Sequence, residues 1–322
     1  MRQVARRLQS LNNRVFHRIT RGELREALVH LGLVPGETVY ARVSMRSLGF
    51  VTGGPAALIE AILDVVGPGG TLVTTAWPAS EAACVDPSTL FDLRETPSRS
   101  GLFSEALRLY PGACRSLHPI ASMVAVGARA TDLMAGHDRC DRPFGPDSPY
   151  AGLWRAGPRL LLVGAHMGGI LHHVQDRVGF PNLYQAGPVD IETIDARGVT
   201  GRVRTPLLKT GIPPVVILPG SRPENRDYLL IQDYAIIFPP QRERDIMEAG
   251  YLRFNRSRFL GRRERLQARG ILRVGQLGSA ETALLDGTRM LDQVEKDLAW
   301  DLARHKEEYD PEQLCHLSLP IL

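Results

Sequence analysis

The hydrophobic and polar positions in the first half of the chain predict alternating strands and helices. Thr20 and Glu23 have the spacing of a capping box, and the apolar residues after them recur at helical intervals as far as Leu31. Continuous apolar runs predict buried strands at residues 38–43, 71–76, 122–126 and 160–163. Helical patterns occur at residues 55–66, 102–109, 130–137 and from residue 170 onward. The alternation predicts a three-layer α/β/α fold, with a mainly parallel central sheet covered by helices on both faces.

The pattern changes after about residue 185. Residues 189–194 and 199–204 flank the turn Asp195-Ala196-Arg197-Gly198, which predicts an antiparallel β-hairpin, and residues 213–218 predict one more strand. Residues 280–308 have the pattern of a long polar helix, whose apolar side carries Leu284, Leu285, Met290, Leu291 and Val294. We therefore expect an α/β core over residues 1–184. A smaller antiparallel extension and a C-terminal helical region would occupy residues 185–322.

Composition narrows the class of protein. The 322 residues include 39 basic and 35 acidic side chains, a net charge of +4 that is too balanced to indicate a nucleic-acid partner. The chain begins without the apolar stretch of a secretory signal, and its longest nearly uncharged run, at residues 160–171, is interrupted by glycines and His166. Four cysteines without CxxC spacing fit free thiols in a reducing compartment. We expect a cytoplasmic protein with no membrane or nucleic-acid partner.

The first candidate site is a turn rich in small residues between a predicted strand and a predicted helix. Such a turn brings backbone N–H groups close to an anion, and Arg46 can add a forked contact to phosphate. The turn fits neither the dinucleotide-binding pattern GxGxxG nor the P-loop pattern GxxxxGK. A plain β–α turn that binds no ligand would have the same kind of sequence. The candidate residues are Ser44, Met45, Arg46, Ser47, Leu48, Gly49, Val51 and Gly53.

Two histidine segments are candidates for acid–base chemistry. His118 precedes Pro119 just ahead of a strand, where a general base can project, although a lone histidine is more often structural. His172 and Asp176 are four residues apart on a predicted helix, so they share a face and could pair. Together with His166 they make no recognised zinc pattern, so we expect no metal.

A series of short segments follows one order along nearly the whole chain. The segments are LGLVPGETV (31–39), SMRSLG (44–49) with Gly53-Gly54-Pro55, VGPGGTLV (66–73), FD (91–92), TPS (96–98) with Gly101, RSLHP (115–119) with Ser122, PFGPDSP (143–149) and RVGQLGSAE (273–281). In these collinear segments the chain resembles the aminoglycoside 3-N-acetyltransferase family.

The resemblance implies an α/β/α fold, with acetyl-CoA or another acyl-CoA as cosubstrate and the amine of a small molecule as acceptor. The turn at residues 44–53 would line the pantetheine and the phosphates, with Arg46, Arg42 and Arg99 near the phosphates. His118 and the segment around His172 would lie at the reaction centre, and transfer would be direct, in a ternary complex. A homodimer is one assembly that the chain could form.

Three departures from the family pattern fall at the expected site. The H-x-x-E element aligns on His172 and Gln175, so an amide replaces the catalytic carboxylate; it can orient a histidine or hold substrate but cannot accept a proton near neutral pH. Asp176, one residue on, points about 100° away around a helix. The family's Asn-Thr pair is here Gly168-Gly169, and its His-Ser-Ser is here Arg42-Val43-Ser44.

The leading hypothesis is a coenzyme-A-dependent N-acyltransferase in specialised metabolism or antibiotic modification. His118 would serve as base or oxyanion partner, while His172 and Gln175 position the substrate. Because a polycationic drug calls for an acidic pocket, a specialised biosynthetic acceptor fits the charge better than a detoxified drug. The alternatives are a different transformation on the same fold and non-catalytic substrate binding.

Overall fold

The computed structural model describes residues 18–79, 86, 88–165, 167–180, 183–208, 215–217, 228–230 and 262–305. The strands are β1 (Arg18–Ile19), β2 (Thr38–Val43), β3 (Phe50–Val51), β4 (Thr71–Thr75), β5 (Phe91–Asp92), β6 (Cys114–Arg115), β7 (Met123–Gly127), β8 (Arg159–Val163), β9 (Tyr184–Ile194), β10 (Thr200–Leu208), β11 (Val215–Ile217), β12 (Tyr228–Leu230), β13 (Leu272–Leu277) and β14 (Ala280–Asp286). The α-helices are α1 (Arg21–Leu31), α2 (Met45–Leu48), α3 (Gly54–Val66), α4 (Leu102–Arg108), α5 (Ala130–Met134), α6 (Pro149–Arg155), α7 (Ile170–Arg177), α8 (Arg262–Ala268) and α9 (Gly287–His305).

The capping box predicted for the first helix is confirmed. The Thr20 side chain accepts the Glu23 backbone N–H, and the Glu23 carboxylate accepts the Thr20 backbone N–H at 2.8 Å. These bonds satisfy donors that a helix N-terminus otherwise leaves without partners. The helix ends at Gly32, whose φ of 103° is the left-handed conformation of a helix C-cap.

The central sheet is mixed, so the expectation of a mainly parallel sheet is not confirmed. Within the described residues its seven strands follow the order β13-β14-β8-β2-β4-β7-β6. Strand β2 is parallel to both β4 and β8, whereas the outer pairs are antiparallel. A continuous apolar run shows that a strand is covered on both faces, but it does not reveal the direction of the strand. Sequence therefore located the buried strands and left their polarity undetermined.

The side chains of the central strands alternate between two apolar clusters. Tyr40, Val73 and Leu160 belong to the cluster that includes residues of α5, α6, α7 and α9. Val39, Leu72 and Leu161, their neighbours along the same strands, belong to the cluster that includes residues of α1, α3 and α4. The sheet thus buries both of its faces, which explains why its strands read as continuous apolar runs.

The predicted C-terminal helix begins later than expected. Residues 280–286 form strand β14, which lies between β13 and β8, and Leu284 and Leu285 are both fully buried there. Adjacent apolar residues fit a helix, but they also fit a strand that is covered on both faces. Here they belong to a strand of the central sheet. The helix itself, α9, starts at Gly287 and buries Met290, Leu291 and Val294 as predicted.

The antiparallel hairpin is confirmed and is longer than predicted. Strands β9 and β10 pair from Thr200 opposite Ile194 to Leu208 opposite Tyr184, and β5 pairs with β9 in parallel. The predicted strand at 213–218 is present as β11, and its flanking residues lie outside the described ones. The boundary between two units at residue 184 stays a prediction. Among the described helices, none is long and apolar enough to cross a lipid bilayer.

Candidate active site

The candidate residues lie at one edge of the central sheet, where its parallel strands end. Arg42 lies near the carboxyl end of β2, Thr75 ends β4, and the described residues 164, 165 and 167–169 lie between the end of β8 and α7. In open α/β sheets, ligands bind in the crevice outside the carboxyl ends of parallel strands. The two predicted segments, the turn after β2 and the helix after β8, therefore begin at the same edge.

The turn after β2 is built by short-range hydrogen bonds. Ser44 caps α2: its Oγ accepts the Ser47 backbone N–H at 3.2 Å and hydrogen-bonds the Ser47 hydroxyl at 2.8 Å. The Ser44 N–H donates to the Val163 carbonyl at 2.9 Å, which joins the turn to the end of β8. Leu48 is buried, and its carbonyl accepts the Ser279 N–H at 3.0 Å. These bonds hold α2 against the sheet edge.

The rest of this turn needs left-handed backbone that glycine provides. Gly49 has a φ of 93° and Gly53 a φ of 86°. Between them, the buried Val51 of strand β3 pairs with Ile19 of strand β1. Arg46 is exposed. The predicted coenzyme residues are therefore contiguous and carry an accessible guanidinium. Their contact with a coenzyme stays a prediction.

His172 and Gln175 form a hydrogen-bonded pair on helix α7. The Nδ1 of His172 lies 2.6 Å from Oε1 of Gln175. The imidazole stacks on Trp77, with ring centroids 5.7 Å apart, and leans against Phe144 at 5.0 Å. Because an amide oxygen can only accept, Nδ1 carries the ring proton, and the lone pair of the neutral imidazole is on Nε2. This tautomer is the one that a general base at Nε2 requires.

Gln175 is almost completely buried, at 1% exposure, and its Nε2 has no hydrogen-bond partner among the described residues. Asp176 is engaged elsewhere: its carboxylate accepts from Arg142 Nε at 2.7 Å and from the Tyr184 hydroxyl at 2.9 Å. Burial, together with Asp176, raises the pKa of Tyr184. The paired side chain found for His172 is thus the amide of Gln175, while Asp176 joins the helix to neighbouring segments.

His118 is fully buried, and its tautomer is fixed by the backbone. Its Nδ1 accepts the N–H groups of Ile120 at 3.2 Å and Ala121 at 3.3 Å, so the proton is on Nε2, which has no partner among the described residues. Burial and the neighbouring His137 lower the pKa of His118 well below its ordinary value. The ring therefore presents a donor rather than a base at Nε2. A catalytic role for His118 stays a prediction.

No sequence pattern identified His137, which packs against His118 with ring centroids 4.3 Å apart. Its Nδ1 accepts the Ser116 hydroxyl at 2.9 Å, and its Nε2 donates to the Pro143 carbonyl at 2.9 Å. Burial lowers the pKa of His137 to about 4. An isolated histidine between two short helices has no motif that could have identified it.

Aromatic rings connect His118 to His172. Tyr150 packs against His137 and Phe144, and Phe144 in turn contacts His172. The Tyr150 hydroxyl accepts the Trp77 indole N–H at 2.7 Å and donates to a backbone carbonyl at residue 121. The two predicted histidines therefore belong to one packed cluster, in which His172 is half-buried and His118 is fully enclosed.

The glycine pair and Arg42 are physically linked. Gly168 has a φ of 61°, and a Cβ there would lie 2.8 Å from the guanidinium carbon of Arg42. The Nη1 atom of the same guanidinium donates to the Thr75 hydroxyl. A Cβ at Gly169 would lie 2.8 Å from Trp77 Cζ2. Arg42 and Trp77 thus occupy the space that two larger side chains would need. In the described part of the chain no group of three or more His, Cys, Asp or Glu side chains could hold a metal, and His166 lies outside that part.

Comparison with known proteins identifies the class. Residues 41–299 match the family described as aminoglycoside 3-N-acetyltransferase. Aminoglycoside N(3)-acetyltransferase VIII of Streptomyces fradiae is 39% identical over 212 residues, which are 61% of this chain and 74% of that protein. Aminoglycoside N(3)-acetyltransferase VII of Streptomyces paromomycinus is 41% identical over 178 residues, which are 49% of this chain and 60% of that protein.

A solved structure, AAC-IIIb binary with CoASH, has the same fold: it superposes with a TM-score of 0.64 at 25% identity and covers 89% of this chain and 98% of that one. The α/β fold and these matches define an enzyme that transfers an acetyl group from acetyl-CoA to an amine. The chain belongs to the aminoglycoside 3-N-acetyltransferase family, which confirms the resemblance found in the sequence.

We expect Gly169→Ala to destabilise the protein and to slow catalysis. The new methyl group would meet the rigid Trp77 ring at 2.8 Å, and overpacking of this kind costs about 1–3 kcal/mol. Because Trp77 stacks on His172, its displacement also moves the imidazole. Thermal unfolding and thiol release check both effects. The control is Gly22→Ala, where the nearest atom is 3.9 Å away; equal behaviour of the two variants would contradict the packing argument.

The buried histidine pair predicts acid destabilisation between about pH 6.5 and pH 4. Folding holds His137 neutral, so its contribution is complete above the ordinary histidine pKa of 6.5 and is lost as the pH falls toward about 4. A pKa lowered from 6.5 to about 4 corresponds to about 3 kcal/mol, and His118 adds to it in the same direction. Urea unfolding at several pH values measures the loss. His137→Gln should flatten the pH dependence of the free energy of unfolding, whereas His30→Gln, a change at an exposed residue, should leave that dependence in place. Identical pH dependences in the two variants would argue against a role for His137 in acid destabilisation.

Proposed function

We propose that this protein transfers the acetyl group of acetyl-CoA to an amine of a small-molecule antibiotic of the aminoglycoside type. The observation that carries the proposal is the family match over residues 41–299, to which the curated relatives add their named activity as aminoglycoside N(3)-acetyltransferases. The alternatives, a different transformation or non-catalytic binding, draw no support from these matches. That a strongly polycationic acceptor is disfavoured stays a prediction from the net charge.

The coenzyme would bind along the turn at residues 44–53. Ser44 and Ser47 offer hydroxyl groups, Gly49 and Gly53 allow close approach of the backbone, and the exposed Arg46 supplies a positive charge for phosphate. AAC-IIIb, whose solved structure is binary with CoASH, supports coenzyme binding by this fold. Acetyl-CoA, or another acyl-CoA, is a cosubstrate in this scheme, and no metal takes part.

His172 is the proposed general base. Its Nε2 lone pair takes a proton from the acceptor nitrogen as that nitrogen bonds to the thioester carbonyl carbon, and Gln175 holds the opposite side of the ring through Nδ1. The C–N bond forms, the C–S bond breaks, and the coenzyme thiolate leaves and takes up the proton. His118 carries its proton at Nε2, which argues against proton removal by this ring. Because that N–H is enclosed in this structure, a contribution of His118 as oxyanion partner stays a prediction.

Further proposals concern the setting of the site. The two apolar clusters on the central sheet support a three-layer α/β/α arrangement. The free thiols Cys114 and Cys140 fit a reducing, cytoplasmic location. A small-molecule amine is the expected partner, without nucleic acid or membrane, and a homodimer stays a prediction.

The proposed function predicts thiol release from acetyl-CoA that depends on an aminoglycoside acceptor. A purified sample would be incubated with acetyl-CoA and a panel of aminoglycosides while free thiol is followed. His172→Ala should reduce the rate at least about a hundredfold, because general base catalysis contributes factors of this size, and should leave coenzyme affinity unchanged. Absence of coenzyme binding by calorimetry would overturn the proposal.

Arg46→Ala should weaken coenzyme binding about tenfold, or about 1.4 kcal/mol, through the loss of a phosphate contact. Titration calorimetry with coenzyme A measures the dissociation constant. Arg129→Ala removes a similarly exposed arginine at the start of helix α5 and should leave the affinity unchanged. An equal effect of the two substitutions would show that Arg46 acts only through net charge.

A further inference from the structure

We propose that the cavity between helices α6, α7 and α9 is a second ligand site, which takes a small primary ammonium compound with an apolar body. The cavity has a volume of about 210 Å³, and its wall includes His173 of α7 and Asp292 of α9. Drug-sized ligands occupy pockets of roughly 300–1,000 Å³, so this smaller space fits a single ring or a short chain.

The cavity is separate from the proposed active site. His172 and His173 follow one another on α7, and consecutive side chains of a helix point about 100° apart. The His172 ring stacks on Trp77 and contacts Phe144, and neither of these two residues lines the cavity. The His173 ring instead meets Trp154, with ring centroids 5.6 Å apart and an interplanar angle of 89°. The two neighbouring histidines thus belong to different surroundings.

His173 supplies a buried hydrogen-bond acceptor at the cavity wall. Its side chain is 1% exposed, and its Nδ1 lies 2.6 Å from the Phe144 carbonyl oxygen, which can only accept. Nδ1 therefore carries the ring proton. Burial lowers the pKa of His173, so the ring is neutral near pH 7.5 and has its lone pair on Nε2. Among the described residues, none pairs with this Nε2.

Asp292 supplies a negative charge to the same cavity. Within the part of the chain that the structure describes, no side chain forms an ion pair with its carboxylate. The nearby carboxylate of Glu295 is already engaged, because Arg177 Nε donates to it at 2.7 Å. The Arg177 guanidinium also lies over the Trp154 ring, 4.9 Å from its centroid. A cation that enters the cavity is therefore directed to Asp292 and not to the indole.

The two arginines at the cavity do not reserve it for an anion. Arg177 is neutralised by Glu295, and Arg155 donates from Nη1 to the Pro146 carbonyl at 3.0 Å. With Asp292 included, the four charged side chains of the wall carry no net charge. A single positive charge on the ligand therefore meets no excess of positive charge in the protein.

The groups left without partners define the ligand. The Asp292 carboxylate and His173 Nε2 are both acceptors, whereas a primary ammonium group presents three donors and no acceptor. An anion would bring acceptors to acceptors and would add a negative charge beside Asp292. Pro146, Ala151 and Trp154 also line the cavity, and their apolar atoms suit the hydrocarbon body of such a compound.

Titration with cyclohexylammonium near pH 7.5 tests the inference. The amine is charged there, because alkyl amines titrate near the lysine pKa of about 10.4. The readout is the ¹⁵N shift of His173 Nε2, assigned by its loss in His173→Asn, which keeps a donor toward the Phe144 carbonyl. We expect a saturable shift with cyclohexylammonium. Cyclohexanol keeps the ring but lacks the charge, and it should bind at least about tenfold more weakly.

Asp292→Asn should raise the dissociation constant of cyclohexylammonium about tenfold, through loss of the ion pair. Asp132→Asn makes the same charge change at an exposed residue of helix α5 and should leave the constant unchanged. His172→Ala should also leave it unchanged, because the His172 side chain does not line the cavity. No saturable shift, equal affinity for cyclohexanol, a wild-type constant in Asp292→Asn, or loss of binding in His172→Ala would overturn the inference.

Discussion

The hydrogen bond between His172 Nδ1 and the side-chain oxygen of Gln175 is the interaction on which the proposed chemistry of this protein depends. It places the ring proton on Nδ1 and the lone pair on Nε2, and it uses the only acceptor that the amide has. Stacking on Trp77 then fixes the plane of the imidazole. A carboxylate in the same position would fix the same tautomer, but it would also add a negative charge that could hold a cationic substrate.

Two glycines, an arginine and a tryptophan form a connected set beside helix α7. The guanidinium of Arg42 fits beside Gly168 because no Cβ is there, and Trp77 fits beside Gly169 for the same reason. Trp77 also donates to Tyr150, whose ring packs toward the buried His137. The two glycines therefore leave space that an arginine and a tryptophan fill, and this wall of the site is closely packed.

The sequence predicted most of the elements and named candidate residues for the site, but it did not predict the relations between them. Apolar runs located the central strands because these are buried on both faces, yet strand direction and the strand that contains Leu284 depend on pairing partners distant along the chain. Spacing alone suggested Asp176 as the partner of His172, whereas the resemblance pointed to Gln175, and the structure shows the bond to Gln175. The role of His137 could not, because its contacts with His118, Ser116 and Pro143 come from three separate positions in the fold.

The most direct measurement is the tautomeric state of His172, read from the ¹⁵N chemical shifts of its ring nitrogens near neutral pH and assigned by their loss in His172→Gln. The predicted spectrum has a protonated, pyrrole-type Nδ1 and an unprotonated, pyridine-type Nε2, and the Nδ1 proton signal should be altered in Gln175→Leu. A ring protonated at Nε2, or one that is fully cationic at neutral pH, would contradict His172 as a base held by a neutral amide.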